Sequence, residues 1–208
     1  MTTTLDKKIL DKQAQHWENY YSTNPETLSV SPSAAAIKAA ETFNKEGITN
    51  ILELGAGRGN DTLFFAQKGF HIQILDFSQT AVDSIIKEAK TLGVDKLITG
   101  KIHNVKNPFP FTDEKFGGCF SHKLYCMALT AKEIQFLSDE IHRVLKHGGV
   151  NIYTARHTGD GDYKNGVHRG EDLYENDGFI VHFFSKEKVK QLINGFDIVN
   201  IENFEEGE

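Results

Sequence analysis

Three glycines at alternate positions, and an acid further along the chain, are the residues of this sequence with the clearest chemistry. Gly55, Gly57 and Gly59 follow one apolar run, and Asp76 ends the next apolar run. Glycines at a sharp turn let the backbone approach a ligand closely, because a side chain there would block it. A carboxylate about 20 residues later, at the tip of a second strand, is placed to accept hydrogen bonds from ribose hydroxyls. The spacing therefore predicts a site for a nucleoside-containing small molecule.

The elements around these residues must place them at one edge of a sheet. The apolar and β-branched residues within 48–52 suit a buried parallel strand that leads to Glu53. A helical stretch over 61–68 follows the glycines, and a second apolar strand over 71–75 leads into Asp76. We therefore interpret this stretch as a strand, a glycine-rich turn, a helix, a second strand and a terminal carboxylate.

The rest of the chain alternates between helical and extended patterns. Ser78 is a good N-cap for a helix over 79–92, whose apolar residues recur at three- and four-residue steps. Residues 156–178 are rich in Gly, Asp and Asn without apolar periodicity, which predicts a long loop of the kind that is usually functional. The other predicted helices cover 13–21, 33–43, 131–145 and 186–193, and the other predicted strands cover 97–103, 116–121, 150–155 and 196–204.

This alternation predicts an α/β fold, in which a Rossmann-like, doubly wound, mostly parallel sheet is covered by helices on both faces. The sequence has no internal repeat and no low-complexity linker, so we expect residues 1–208 to form a single domain. Within it, residues 1–47 would be an N-terminal helical cap and 48–155 the cofactor-binding core. Residues 156–208 would supply a substrate loop and a C-terminal strand.

Composition narrows the classes of partner. The formal net charge is −6 and no long basic run occurs, which argues against nucleic acid as the main partner. Cys119 and Cys126 are the only cysteines, so neither a disulfide framework nor a zinc site of paired cysteines is expected. His157 and His168 do not share a helix face, so we expect no metal site. No signal peptide is visible and no apolar run approaches the ~20 residues of a membrane span, so we expect a cytoplasmic protein without a membrane partner.

The spacing of the glycines separates two kinds of nucleoside site. A dinucleotide fingerprint requires G-x-G-x-x-G, whose third glycine lets the helix pack on the strand. Here Asn60 stands at that third position, and Glu53 stands two residues before Gly55. The pattern E-x-G-x-G-x-G resembles the first motif of the class I S-adenosylmethionine-dependent methyltransferases, and the resemblance extends over most of the chain. It implies that the cofactor is S-adenosylmethionine and that the product is S-adenosylhomocysteine.

The resemblance implies roles for particular residues when it is carried over position by position. The glycine turn would line the amino-acid end of the cofactor, with Glu53 supporting it. Asp76 matches the acid that binds both ribose hydroxyls, and Phe77 would pack on the adenine. Asn104 stands where the family usually has an aspartate that contacts the adenine amino group, and an amide can still pair with that edge. Residues 145–149 resemble the family's L-K-P-G-G turn before the fifth strand. The implied cofactor-binding residues are Glu53, Gly55, Ala56, Gly57, Asp76, Phe77, Asn104, Val105 and Ser121.

The acceptor side of the site follows less directly from its residues. His122 comes just after Ser121, where the fourth strand would pass the methyl group, and we predict a general base or positioning group there; a partly buried structural histidine is the alternative. Residues 12–32 would close this side together with the long loop. Trp17 and Tyr21 would form a lid whose aromatic faces attract the sulfonium charge, or would dock an N-terminal helix on the sheet. Further substrate contacts are predicted from Tyr125, His168 and Arg169.

Within the class, the small size and the fourth strand resemble the group that includes the tellurite-resistance and thiopurine methyltransferases. That group continues into one more strand, antiparallel in the sheet, after the region that 196–207 resembles. We therefore expect the last antiparallel strand to be missing, either because the chain is truncated or because the sheet is one strand short. An unpaired late strand would leave exposed backbone groups.

Three functions compete at this stage. The first is methyl transfer to a small-molecule acceptor by a monomer or homodimer; arsenite, tellurite, a thiol, an amine and a carboxylate all remain open. Arsenite is the least supported, because the sequence has only two cysteines. The second is an S-adenosylmethionine-binding regulator without turnover. The third is an NAD-linked oxidoreductase, against which Asn60 argues.

Overall fold

The computed structural model describes residues 5–23, 31–192 and 195–205, and a five-stranded sheet lies at its centre. Every neighbouring pair of strands in this sheet is parallel. The strands are β1 (Asn50–Leu54), β2 (His71–Asp76), β3 (Ile98–Ile102), β4 (Phe116–Ser121) and β5 (Leu145–Tyr153), in the order β3-β2-β1-β4-β5. The sheet confirms the predicted α/β fold with a Rossmann-like, mostly parallel sheet.

Helices precede β1 and fill the other connections of the parallel sheet, but in the described chain no helix lies between β3 and β4. They are α1 (Lys7–Asp11), α2 (Gln13–Thr23), α3 (Ala34–Lys45), α4 (Asn60–Gln67), α5 (Gln79–Thr91), α6 (Ala131–Val144) and α7 (Lys186–Gln191), with a 3₁₀ turn at Asp95–Leu97. Ser78 caps α5 as predicted, because its hydroxyl accepts from the backbone N–H three residues on. Thr130 and Glu133 form a capping box at the start of α6. Of the helix predicted over 186–193, residue 193 lies outside the described residues.

The core forms two layers, one on each face of the sheet. Alternate residues of a strand point to opposite faces, so Leu52 and Leu54 pack with the apolar side of α6, whereas Ile51 packs with α3 and α4. The α6 side contributes Ile134, Leu137, Ile141 and Val144, and the other side contributes Phe43, Phe65, Ile85 and Ala89, all of them buried. The helices therefore cover both faces of the sheet, which is the doubly wound arrangement.

The strand order changes direction at β1, and this positions the site. From β1 the chain adds β2 and β3 on one side, then crosses to add β4 and β5 on the other side. A crevice opens outside the carboxyl ends of β1 and β4, where the two directions diverge, and ligands of open α/β sheets bind at such a point. The glycine turn follows β1 there, and Ser121 ends β4.

The turn expected at 146–149, between α6 and the fifth strand, is a bulge within β5. The helix ends at Val144, and Leu145 already pairs with Phe116, while Val150 pairs with Gly118. Four residues of β5 lie between these pairs against one residue of β4, so three are extra on β5. Gly148, with φ of 75°, takes the left-handed conformation that the bulge needs.

The long loop predicted over 156–178 is wrong in its second half. A three-stranded antiparallel sheet forms there from β6 (Val167–Gly170), β7 (Leu173–Asn176) and β8 (Phe179–His182). Each strand has only four residues, and the turns between them contain Glu171 and Asp177 at positive φ, where the sequence reads as polar loop. This hairpin sheet is joined to the core where the Phe184 N–H donates to the carbonyl of Arg156 at 2.9 Å.

The strand predicted over 196–204 does not form, since residues 195–205 contain no strand. Phe196 packs edge-on against His142 of α6, with ring centroids 5.2 Å apart, and Glu202 pairs with Lys38 of α3 at 2.6 Å. Because α6 and α3 lie on opposite faces of the sheet, the tail crosses beside β5 without pairing with it. Within the described ranges, β5 is therefore an edge strand.

The helices of the described residues are too short or too polar to span a membrane.

Candidate cofactor and acceptor site

The glycine turn after β1 has backbone conformations that only glycine adopts easily. Gly55 and Gly57 have φ values of 67° and 53°. A Cβ on Gly55 would lie 3.0 Å from Leu124, and a Cβ on Gly57 would lie 2.9 Å from the Tyr21 hydroxyl. Gly59 has a different role, because a Cβ there would collide with Ile85 of α5. The first two glycines therefore shape the crevice, and the third lets α4 pack beside α5.

Asp76 lies directly beside this turn, at the carboxyl end of β2. Its side chain is 4% exposed, and its two oxygens accept from the backbone N–H groups of Gly57 at 3.0 Å and Ser78 at 2.9 Å. Burial raises the pKa of Asp76, and these two N–H donors oppose that rise. Each oxygen of an ionised carboxylate has a second acceptor position, so Asp76 retains the capacity to bind two ligand hydroxyls.

Glu53 lies behind the turn rather than in the crevice. It is 3% exposed, and burial, reinforced by the charge of Asp61, raises its pKa to about 8. Its Oε2 has no hydrogen-bond partner among the described residues. Asp61 is fixed in turn by the backbone N–H of Ser33 at 2.7 Å and the hydroxyl of Ser33 at 2.9 Å. The predicted supporting role of Glu53 is compatible with this position.

At the end of β4, Ser121 and His122 face the crevice from the other side of the switch point. Ser121 is fully buried, and its hydroxyl has no partner among the described residues. The Nδ1 atom of His122 is 3.0 Å from the Thr154 hydroxyl, which also accepts from the Lys123 N–H at 2.9 Å. When Nδ1 donates to that hydroxyl, Nε2 is left as the acceptor that a general base requires.

The predicted adenine contacts lie at the carboxyl ends of β2 and β3. Phe77 and Val105 are half-buried, and Asn104 is exposed. The side-chain oxygen of Asn104 accepts from the Lys106 N–H at 3.0 Å, so its amide NH₂ remains a donor. The His103 N–H donates to the Asp76 carbonyl at 2.8 Å and holds this segment beside the ribose position.

Helix α2 covers the cofactor side of the crevice. Besides Tyr21, which lies over Gly57, it presents Tyr20, whose hydroxyl accepts from Arg58 at 3.3 Å. The hydroxyl of Thr80 donates to Glu18 at 2.6 Å and ties α2 to the start of α5. The other oxygen of Glu18 is buried without a partner among the described residues.

The same helix holds the hairpin sheet. The Gln13 amide donates to the Gly178 carbonyl at 2.8 Å and accepts from the Ile180 N–H at 3.2 Å, so one side chain pairs with β8 as a neighbouring strand would. Trp17 packs on Phe179 with ring centroids 5.1 Å apart. The contact of Trp17 is of the docking kind, which was one of the two alternatives considered for Trp17 and Tyr21. The aromatic lid over the sulfonium stays a prediction. Of the segment 12–32 predicted to close this side, residues 24–30 lie outside the described residues.

A pocket of about 210 Å³ lies between the hairpin sheet and the chain that follows β5. The Arg156 guanidinium, two residues past Thr154, donates to Asp160 at 2.8 Å and to Asp162 at 2.8 Å. The pocket is lined by Arg156, Asp162, Asn165, Tyr174, Asn176, Asp177, Phe179, Val181 and Phe183.

Three predicted substrate residues have other partners in the structure. Tyr125 is 1% exposed in the core, where it stacks on Tyr153 at 4.0 Å between ring centroids. His168 stacks on Tyr174, and its Nε2 is 2.9 Å from the Glu171 carbonyl. Arg169 donates to Glu175 at 2.6 Å. None of the three lines the pocket, because aromatic stacking, a backbone contact and an ion pair already hold them.

The sequence did not identify four residues around the site, which are Gln13, Glu18, Arg156 and Phe179. The one available signal was the apolar run at 179–184, which indicated a buried segment but not its neighbour. Gln13 and Gly178 are 165 positions apart, so only the fold could bring them together. Among the described residues, no group of three His, Cys, Asp or Glu side chains could hold a metal ion.

Comparison with known proteins gives the class of this domain. A family model described as a methyltransferase domain matches residues 51–149. A curated relative, phosphoethanolamine N-methyltransferase 1 of Triticum aestivum, is 31% identical over 149 residues, which are 70% of this chain. The chain spans only 26% of that relative's length.

Solved structures share the fold. A methyltransferase of Burkholderia thailandensis, described with 1,6-didemethyltoxoflavin and S-adenosylhomocysteine bound, superimposes with a TM-score of 0.70 at 16% identity, covering 94% of this chain and 80% of the other. An S-adenosylmethionine-dependent methyltransferase of Methanosarcina mazei gives 0.61 at 21% identity, covering 70% and 77%. The fold is the one that these methyltransferases share, and residues 51–149 match the methyltransferase-domain model. S-adenosylmethionine is the cofactor for which the Methanosarcina protein is named.

The residues of the crevice fit this cofactor. Gly55 and Gly57 form a cradle that side chains would fill, and Asp76 keeps acceptor positions for a ribose. The partnerless oxygens of Ser121 and Glu18 supply buried polar groups at either end of the crevice. Buried polar groups without partners cost free energy, so a polar ligand between them would stabilise the folded chain.

Proposed function

We propose that this protein transfers the methyl group of S-adenosylmethionine to a small-molecule acceptor. One observation carries the proposal: helix α2 contacts the glycine turn through Tyr21 and the wall of a separate pocket through Trp17, which packs on Phe179. The curated relative is named for methylation of phosphoethanolamine, and the Burkholderia protein is described with a small heterocycle, both of which favour a small acceptor.

The cofactor contacts follow from the crevice. Gly55, Ala56 and Gly57 hold the amino-acid end of the cofactor, with Glu53 behind them. Asp76 binds the ribose hydroxyls, and Tyr21 closes over the same turn. The adenine lies among Phe77, Asn104 and Val105, with the asparagine NH₂ as a donor to its edge.

Catalysis rests on alignment and on one base. A bound sulfonium supplies an activated methyl group with a good leaving group. The chain contributes position and exclusion of water, through α2 and the hairpin sheet, and these effects are large when two reactants must meet in line. Where the acceptor carries a proton, His122 accepts it, since an imidazole has a pKa suited to neutral pH.

Two other functions have less support. An S-adenosylmethionine-binding regulator would need no acceptor pocket, and this chain has one beside the crevice. An NAD-linked oxidoreductase would need a dinucleotide turn, whereas Gly59 serves to pack α5 and Asn60 begins α4. The likeness to the tellurite-resistance and thiopurine group, the cytoplasmic location, and the monomeric or homodimeric state stay predictions.

The test combines cofactor binding with product release. Asp76→Ala removes two acceptor oxygens, so the dissociation constant of S-adenosylmethionine should rise at least tenfold by calorimetry, as expected when hydrogen bonds to a charged group are lost. Asp83→Ala, an exposed acid of α5, is the control and should leave it unchanged. The wild-type protein should release S-adenosylhomocysteine with at least one acceptor from a panel of thiols, amines, oxyanions and carboxylates. Cofactor that persists unchanged with every acceptor would support the regulator instead.

A further inference from the structure

One wall of the 210 Å³ pocket is an aromatic surface built by the hairpin sheet. Phe179 and Val181 alternate along β8, and Tyr174 pairs directly with Val181, so the three side chains share one face of the sheet. Phe183 continues the alternation just past the strand. The volume is below the ~300–1,000 Å³ of pockets for drug-sized ligands, so this surface suits a small ligand.

The facing rim of the pocket is acidic. Arg156 is its one basic residue, and this guanidinium is already bound to Asp160 and Asp162 and lies over the ring of Phe183 at 5.6 Å. Asp177 adds a further carboxylate from the β7–β8 turn. One arginine against three aspartates leaves this group with a net negative formal charge.

Two basic side chains near the pocket, Arg169 of β6 and Lys188 of α7, do not offset that charge. Arg169 is bound to Glu175 at 2.6 Å, and Lys188 is bound to Asp172 at 2.6 Å. An anionic acceptor would therefore meet carboxylates and guanidinium groups that already have partners. A cation would meet carboxylates and aromatic faces, both of which attract it.

We propose that the pocket selects an organic amine as the methyl acceptor, so that this protein is an N-methyltransferase of small amines. The inference rests on the proposed function and names its acceptor class. The amine arrives as an ammonium ion, held between Asp177 and Asp162 on the rim and the rings of Phe179 and Tyr174. The methylated product forms as an ammonium cation, so the same groups also hold it.

The reaction consistent with this pocket balances as follows. The ammonium first loses one proton, which His122 accepts and passes to solvent. The nitrogen lone pair then forms the new N–C bond, and the C–S bond breaks with its electron pair remaining on sulfur. The products are the methylated ammonium ion, neutral S-adenosylhomocysteine and one proton in solution, so the two positive charges of the reactants are conserved.

Phe179 gives the proposal a direct readout. It lines the pocket and packs on Trp17, which is the only tryptophan of the sequence. A ligand that occupies the aromatic wall should therefore change the fluorescence of Trp17 without any turnover.

The experiment uses four probes on one carbon skeleton: phenethylamine, phenethyl alcohol, phenethyl thiol and hydrocinnamate. Trp17 fluorescence and calorimetry measure binding to the full chain, and S-adenosylhomocysteine release measures turnover. Phenethylamine should bind at least tenfold more tightly than hydrocinnamate and should be the best methyl acceptor. Asp177→Asn and Phe179→Leu should each raise the amine dissociation constant at least fivefold and leave S-adenosylmethionine binding unchanged. Asp197→Asn, an exposed acid of the tail, is the matched control.

Several results would overturn the proposal. The acidic rim would not select amines if hydrocinnamate bound as tightly as the amine. The same would follow if the Asp177→Asn variant kept its affinity for the amine. Turnover with the thiol or the alcohol but not with the amine would refute amine selection while leaving the methyltransferase function intact. If no acceptor releases S-adenosylhomocysteine, the proposed function fails, and the binding measurements still decide whether the pocket prefers amines.

Discussion

The Thr154 hydroxyl at the end of β5 contacts both His122 and the residue that follows it. It lies 3.0 Å from Nδ1 of the imidazole and accepts from the Lys123 N–H, so it helps to hold both the ring and the chain that carries it. Lys123 has φ of 60°, a conformation that non-glycine residues rarely adopt and that needs support from its surroundings. This arrangement directs Nδ1 of the ring to the protein.

A loss of turnover without a loss of binding is expected from His122→Ala. A general base contributes roughly 10²–10⁴-fold, so kcat with a protonated acceptor should fall within that range. The dissociation constant of S-adenosylmethionine and the KM of the acceptor should change little, because the base acts in the transition state. His71→Ala, exposed at the opposite end of β2, is the control. Equal losses in kcat and in cofactor affinity would make His122 a binding residue.

At the scale of the elements, α2 joins the two halves of the site. Its Tyr21 and Glu18 contact the cofactor side, and its Gln13 and Trp17 contact the hairpin sheet. Few buried apolar contacts hold it, since none of its residues is fully buried. Elements of this kind open locally at a lower free energy than the core, as expected for a helix that covers a ligand.

Gln13→Ala should loosen α2 from β8, because the two backbone groups that the amide pairs with would lose their partner. We expect Trp17 emission to shift to longer wavelength and to become more accessible to acrylamide, and the acceptor KM to rise several-fold. Gln15→Ala is a close control, since Gln15 bonds only to Asn19 of the same helix in the described structure. Identical fluorescence for the two variants would contradict a clamp at Gln13.

The elements that could be predicted from the sequence are those with local signals. Apolar runs, cap residues and the glycine motif identified the five parallel strands and the helices that cover them, to within a few residues. The hairpin sheet has four-residue strands and polar turns, so its pattern resembles a loop. The tail at 196–204 alternates like a strand, yet β5 does not pair with it in the described residues, because pairing depends on neighbours that a local pattern does not contain.

The cofactor half of the site likewise has a local signal in the sequence, whereas the acceptor half does not. Gly55, Gly57 and Asp76 lie within 22 residues of sequence, so one motif contains them. The acceptor pocket combines Arg156 after β5 with residues of β7 and β8, and its cover comes from the N-terminal region. No spacing in the sequence indicates that these distant segments meet. For this reason substrate contacts were expected from Tyr125, His168 and Arg169, which do not line the pocket.

For the molecule as a whole, the site imposes an electrostatic cost on folding. Glu53 and Asp76 are both buried near the carboxyl ends of the strands, and burial raises the pKa of each. Asp61 is also buried and its charge acts on Glu53. Concentrated acids of this kind oppose ionisation, so the folded chain binds protons that the unfolded chain releases.

Stability should therefore decrease as pH rises toward 8. The pKa of Glu53 is 4.5 ordinarily and about 8 when folded, so between these values the folded state holds the extra proton and the free energy of unfolding falls with pH. The slope from one proton is at most about 1.4 kcal/mol per pH unit. Burial lowers the pKa of His182 from 6.5 to about 4, which gives the opposite slope below pH 6.5.

Urea unfolding at pH 6.5 and pH 8 reports mainly on the acid, because His182 is neutral in the folded state and at most half-protonated in the unfolded state over that window. Wild-type protein without cofactor should lose about 1–2 kcal/mol between the two pH values. The Glu53→Gln variant keeps the shape of the side chain and removes its titration. Its free energy of unfolding should fall much less between the two pH values. If the free energy of unfolding fell equally with pH in the two proteins, the pH dependence would come from groups other than Glu53.

The bulge at 146–149 lies at the end of the sheet opposite to the site. This end of the molecule should therefore tolerate changes of sequence better than the other end. The bulge interrupts β5 where that strand begins, at the amino end of the sheet, while all the chemistry is at the carboxyl end, roughly 20 Å away for strands of about six residues. Lys146, His147 and Gly148 are exposed, and a Cβ on Gly148 would meet no neighbouring atom. Descendants of this chain could therefore acquire length, charge or an attached module at that end, and the reaction at the other end would be inherited unchanged.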